Sequence, residues 1–500
     1  MKDLHINKTA SLKRCFGMRE SVTITVGTVI GVGLFTVGSG AAGILGPAVI
    51  FATLTALIIS IYPALIYAEM GGALPFAGGT YQYASLGLGR PFGMLAGWNF
   101  IISMVSVASG EALAFSFYLR TLFEALGFSL PFSDPVIASA AILLFVVLAV
   151  RGVEMSGRLQ NGFLFFFWGI TIIWFITMLP VFHLDSFSIS TASDSLSIKD
   201  FFPCVAMIWW CFAGFETCCA MGEEICFPRI NLPRALFLAP FIVFIVTALF
   251  QWALVSITPV DSLAALATAD APYAHAMKTA GIVGLPLILL CLGITFGGDF
   301  STLNAAIAAP ARYLFTMARD NAIPPILGRI HPRFQSPFIA LICLGLLMIL
   351  LVSTGSITYI ASLSLFATLL YYVIGMLSAL GLRKKYPDLS RPFRTPGLSA
   401  GAGASIAVYL LLMTQLSPEA IAAGIMWSLA GLVLFFARNG LQKNAQTKKE
   451  KTEFLFTDHE FDVPSDAEQA KMDREYRIWR LSVICAIIGV GALYLFSFVC

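Results

Sequence analysis

Residues 21–45 read SVTITVGTVIGVGLFTVGSGAAGIL, an uncharged apolar run interrupted by glycines at 27, 31, 33, 38, 40 and 43. As a helix it is long enough to cross about 30 Å of hydrocarbon. Single glycines on membrane helices commonly serve close packing. A glycine-rich centre, with Gly31-Val32-Gly33 at mid-membrane depth, means more if a second span breaks at the corresponding place. Ala213-Gly214-Phe215-Glu216 lies at the same depth of the apolar run 201–225, with a carboxylate beside its glycine. Spans interrupted at matching points of two halves point to unwound helices around a midplane site. Gly214 follows Gly31 by 183 residues, a length suited to a repeat of five spans.

The rest of the chain agrees with a membrane reading. Of 500 residues, 58% are hydrophobic and 12% charged, against about 25% charged in an ordinary soluble domain. The mean hydropathy is +0.84. So few charges cannot clothe a water-soluble surface, which excludes a soluble enzyme, and a net charge of +3 gives no reason to expect a nucleic-acid partner. Apolar runs occur at 21–45, 49–68, 93–119, 136–150, 163–181, 201–225, 236–257, 282–308, 337–353, 357–382, 398–416, 421–437 and 479–499. The expected fold is an all-α polytopic membrane protein of about thirteen transmembrane helices. With the N-terminus in the cytoplasm, cytoplasmic segments hold 28 Lys and Arg, and external ones hold Arg120, Lys199 and Lys278. That asymmetry obeys the positive-inside rule and leaves Cys500 outside.

The expected organisation is a cytosolic tail at 1–20 and a transport core of ten spans at 21–385. Spans eleven and twelve follow at 398–438, then a charged cytosolic linker at 439–478 and an extra span at 479–500. The tail runs into an apolar stretch of about 25 residues, too long for a signal-peptide core, and it is read as retained. Within the linker, an amphipathic helix is expected near Asp473–Trp479. Cys204, Cys211 and Cys218 recur every seven residues on one helix face, but without a His or a CxxC no metal is expected. All five His lie outside the spans, and no nucleophile–base pair is readable, so no enzyme and no cofactor are expected.

Glu111, Glu216 and Asp299 lie deep in the spans. Each acid there costs about 2.5–3.5 kcal/mol at a helix centre on the insertion scale, which marks functional candidates. Glu111 follows Gly31 by 80 residues and Asp299 follows Gly214 by 85, equivalent heights in two five-span repeats. Acids converging on one cavity attract a cation or carry protons, and they repel an anionic side chain.

Four motifs in order carry a resemblance across about residues 20–340. They are Gly31-Val32-Gly33-Leu34-Phe35; Pro75-Phe76-Ala77-Gly78-Gly79-Thr80-Tyr81 with Gly97-Trp98; Gly214-Phe215-Glu216 with Glu223-Glu224 and Pro233-Arg234; and Arg312-Tyr313-Leu314-Phe315 with Ala318-Arg319-Asp320. Together they resemble the amino-acid–polyamine–organocation permeases. The resemblance implies a LeuT-like fold of 5+5 inverted repeats, with the first and sixth helices unwound at the substrate. It implies that backbone N–H groups around Gly31, Val32 and Gly33 take a substrate carboxylate. Carbonyls near Trp210, Ala213 and Gly214 would take the ammonium, with Trp210 as an aromatic gate. It further implies gating or coupling at Glu216 and substrate contact at Asp299, and the depth and spacing of Glu111 make it a second candidate for gating or coupling. Ser301 and Thr302 could hold Na⁺ with first-span carbonyls.

Val32 stands where many relatives have Ser, and no Lys lies between Leu159 and Ile198, where proton-coupled relatives often carry one. The function expected is secondary active transport of an amino acid, neutral or cationic rather than acidic, by alternating access. H⁺ coupling, Na⁺ coupling and exchange all stay open. An amine or polyamine permease and a non-transporting nutrient sensor are the alternatives. Besides the small molecule and the lipid bilayer no partner is expected, the oligomeric state is left open, and the cell membrane is the expected location.

Overall fold

Helix in the first span runs only from Met18 to Gly27. The chain turns through 28–31, then resumes as a π-helix, Gly33–Val37, and an α-helix, Gly38–Leu45. Hydroxyls prepare the break: Thr25 donates to the Ser21 carbonyl at 2.5 Å and Thr28 to Ile24 at 2.6 Å. Such back-bonding weakens and bends a helix, and glycine at 27 and 31 adds nothing to hold it. The computed structural model describes residues 16–31, 33–183, 187, 198–440 and 463–499. Val32 and residues 441–462 of the expected linker lie outside the described residues.

The sixth span breaks in the same manner. Helix Ile198–Trp210 ends in turns through 211–216, followed by the short helix Thr217–Ala220. Bonds from Cys211 N to Ile208 O and from Phe212 N to Trp209 O tighten its last turn. Gly214 then takes φ +104°, a conformation that L side chains rarely adopt. Both expected interruptions are present.

The protein is an all-α polytopic membrane protein. Among the described residues, eight helices are long and apolar enough to cross a membrane, and Asp134–Val150, Phe338–Val352 and Leu398–Met413 are shorter apolar helices. The run Gly33–Ala73 turns at Gly46 (φ +52°) and so holds the end of the first span and all of the second. Splitting it there and adding the broken sixth span accounts for all thirteen passes. The third span, Arg90–Ala125, is central and packs on the fourth, eighth and tenth (Ile357–Lys385). The second packs on the seventh, Pro228–Ile257. The eighth carries a π-helix, Gly293–Asp299, between Leu285–Leu292 and Phe300–Arg319. Insertions of this kind are frequent at functional sites.

The final helix is one piece, Asp466–Val499, so the tract near Asp473–Trp479 is helical and continuous with the last span. It lies on the seventh span. Trp252 Nε1 donates to Ser497 Oγ at 2.9 Å, Tyr494 donates to the Ala248 carbonyl, and Arg234 pairs with Asp473.

Ion pairs divide between two ends of the molecule. Arg120–Asp134 and Lys278–Glu124 join segments from one set of loops. Arg312–Glu224, Arg319–Glu223 and the pairs of Glu69 with Arg383 and Arg391 join segments from the other. This is the same division of loops that the Lys and Arg count produces.

Candidate functional site

The two breaks face each other across a small cavity. A Cβ on Gly214 would touch Thr28 Cγ2 at 3.4 Å, and one on Gly33 would touch Cys211 Cα at 3.4 Å. Thr28, Val29 and Gly33 of the first span line the cavity with Trp210 and Ala213 of the sixth. Met104, Val107 and Glu111 of the third span and Thr368 of the tenth complete the wall. Most of this lining is apolar, with one carboxyl group and two hydroxyls, a pattern common to small-molecule sites.

Trp210 reaches the cavity from the last helical turn before the break. Its indole Nε1 donates to Ser364 Oγ at 3.1 Å, while Ser103 and Thr368 share a hydrogen bond of 2.6 Å beside it. The aromatic ring is thus tied to the tenth span through hydroxyls that the sequence reading did not single out. Serine and threonine on membrane helices usually bond their own backbone, so nothing in the pattern distinguishes these.

Glu111 presses on the first break. A side chain at Gly31 would overlap both Glu111 carboxyl oxygens, so the acid would have to move to admit one. Asp299, at the end of the eighth-span π-helix, is fully buried behind Glu111 and within side-chain hydrogen-bonding reach of it. Both Asp299 carboxyl oxygens lack a hydrogen-bond donor among the described residues. The cavity wall includes Glu111 and not Asp299, although the sequence reading placed Asp299 at the substrate and Glu111 at coupling.

Glu216 lies outside this wall. It accepts hydrogen bonds from Tyr371 and Tyr372 of the tenth span, and the Gly214 amide donates to the Tyr372 hydroxyl at 3.4 Å. The sixth-span break is therefore held against the tenth span by a buried carboxylate between two phenols.

Ser301 and Thr302 meet first-span carbonyls. Thr302 Oγ1 lies 2.9 Å from both Gly27 O and Ile30 O, and Ser301 donates to Gly27 O at 3.3 Å. The missed residue is Gln160 in the fifth span. Its Nε2 donates to Ser301 Oγ at 2.7 Å and to Thr23 O at 3.3 Å, while its Oε1 accepts from Asn304. A neutral amide bridges the first, fifth and eighth spans here. Gly27 admits it, since a Cβ at that position would overlap the Gln160 amide.

Comparison with known proteins agrees with the geometry. A family described as amino acid permease matches residues 16–438. The branched-chain amino acid permease BcaP of Bacillus subtilis is 26% identical over 447 residues, 85% of this chain and 93% of that protein. The methylthioribose transporter of the same organism is 25% identical over 448 residues, covering 86% and 94% of the two chains. Cationic amino acid transporter 4 of Mus musculus is 27% identical over 410 residues, 78% of this chain and 63% of that one. Two broken helices around a small cavity and a family match across most of the length lead to one statement: the chain belongs to the amino acid permease family and is a membrane carrier of amino acids.

Proposed function

We propose that this carrier moves neutral aliphatic or cationic amino acids by alternating access around the cavity between the two breaks. The observation that carries the reading is the composition of that cavity. Val29, Met104, Val107 and Ala213 offer an aliphatic wall, and Glu111 is its one acid. An ammonium group sits favourably against Glu111, whereas an acidic side chain meets repulsion at low dielectric. The branched-chain and cationic transporters among the relatives fit these two substrate classes. Backbone N–H groups at the first break would take the substrate carboxylate. An amine substrate is the second reading, favoured by the absence of any Lys, Arg or His from the wall among the described residues.

Glu216 would couple the sixth-span break to the tenth span, and Trp210 would close over the bound substrate. The N-terminus would lie in the cytoplasm, a reading supported by the Lys and Arg asymmetry. The cell membrane is the proposed location. Counterflow in proteoliposomes tests the function, with labelled isoleucine, lysine, glutamate and putrescine. Counterflow of isoleucine or lysine, with none for glutamate, is expected. Putrescine alone would establish the amine reading, and no counterflow with any of them would end the carrier reading.

A further inference from the structure

Asp299 has no exposed surface, and both its oxygens lack a donor among the described residues. A buried carboxylate in that state is costly, since burying a charge without a partner forfeits its hydration. What lies within hydrogen-bonding reach is a second carboxyl group, that of Glu111. No cationic side chain acts on Asp299 among the described residues. Among the described residues, the other titratable groups that act on the pair are Tyr118, which acts on Asp299 from the third span, and Cys211, which acts on Glu111 from the sixth-span break. Tyr273 and Cys291 act in turn on Tyr118. The Tyr118 hydroxyl is already committed, donating to Phe35 O at 2.8 Å.

We propose that Glu111 and Asp299 hold one proton between them and that this proton is the coupling ion of the carrier. A single proton supplies the missing donor and removes the repulsion between two buried like charges. The pair then carries one negative charge, and Glu111 presents it to the cavity. Occupation of the cavity by a substrate ammonium group compensates the second charge as well. The proton can then leave from a carboxyl oxygen to water when the cavity opens. Glu111 also presses on bare backbone at Gly31, so a change in its charge acts directly on the first break. The Ser301–Thr302 cluster suits Na⁺ less well. Gln160 directs an N–H donor at the Ser301 oxygen that a cation would need. The coupling role rests on the carrier reading above; the shared-proton site does not.

Infrared spectroscopy of the full-length protein in lipid tests the site without any substrate. The wild type should show a protonated-carboxyl band that shifts in D2O, is lost in both Glu111→Gln and Asp299→Asn, and persists in Glu216→Gln. In each pair variant the new amide supplies the donor, and the remaining carboxyl group ionises. No band in the wild type, or a band that survives in either pair variant, would overturn the shared proton. The coupling role is read in proteoliposomes free of Na⁺, using labelled isoleucine and lysine. Asp299→Asn should lower the ratio of pH-gradient-driven uptake to counterflow by about tenfold or more, within the usual range of coupling energies. An unchanged ratio would overturn it, as would wild-type accumulation that follows a Na⁺ gradient at fixed pH. A wild type without counterflow would end the carrier reading, and the infrared result would still decide the proton site.

Discussion

Gly31 and Gly33 stand two residues apart and face different neighbours, so they should respond differently to substitution. A methyl group at Gly31 collides with the Glu111 carboxyl group, the far end of a side chain whose position the cavity depends on. At Gly33 the nearest atom is Cys211 Cα at 3.4 Å, ordinary contact for a methyl group. Overpacking of the first kind costs about 1–3 kcal/mol, and the displaced acid sits in the cavity wall. Gly31→Ala should therefore reduce labelled isoleucine uptake at least about tenfold, the equivalent of 1.4 kcal/mol. Gly33→Ala should be mild, while Gly33→Leu should fill the cavity and abolish binding with insertion intact. Equal effects of the two alanine variants, at equal expression, would count against this arrangement of the break.

Between elements, a buried ion pair ties the end of the molecule opposite Arg120. Arg312 of the eighth span is 3% exposed and pairs with Glu224, fully buried after the sixth-span break. The Glu224 carbonyl also accepts from Phe16 N at 3.1 Å, and Cys226 N donates back to Phe16 O at 2.7 Å. The start of the first span is thus pinned to the end of the sixth and through it to the eighth. Removing one partner of a buried pair leaves a stranded charge at a cost of about 3–5 kcal/mol, whereas apolar replacement of both is often near neutral. Arg312→Met should lower the thermal unfolding temperature markedly, and adding Glu224→Met should recover most of the loss. The last helix is tied differently. None of its residues lines the cavity, and it packs mainly along the seventh span, with further contacts to the first span and, through Trp479, to Trp168 of the fifth. A chain ending before Asp466 should keep isoleucine uptake per molecule while unfolding at a lower temperature. Lost uptake at normal expression would give this helix a part in transport.

Across the whole molecule, two independent features divide the loops in the same way. Lys and Arg are concentrated in one set of segments, and the ion pairs join segments within a set. The first reflects insertion and the second reflects folded geometry. With the N-terminus inside, a cysteine replacing Lys278 should react with an impermeant thiol reagent on intact cells. One replacing Arg438 should react only after permeabilisation. The reverse pattern would invert the proposed orientation.

The sequence alone determined the number of passes, the two breaks and the family. Hydrocarbon accepts only segments that satisfy their own backbone, so apolar length and misplaced glycine are legible without a structure. It also marked Glu111, Glu216 and Asp299, because an acid at that depth is too costly to be incidental. Where each of these acids sits and what it touches came from the packing of the helices. The third span is buried on nearly all sides, so no polar face in its sequence shows which way Glu111 points. Rotation of packed helices sets Glu111 on the cavity wall, Asp299 behind it and Glu216 between Tyr371 and Tyr372. The same packing brings Gln160 to Ser301, 141 residues apart. Such meetings depend on the register of one helix against another, which hydropathy does not encode.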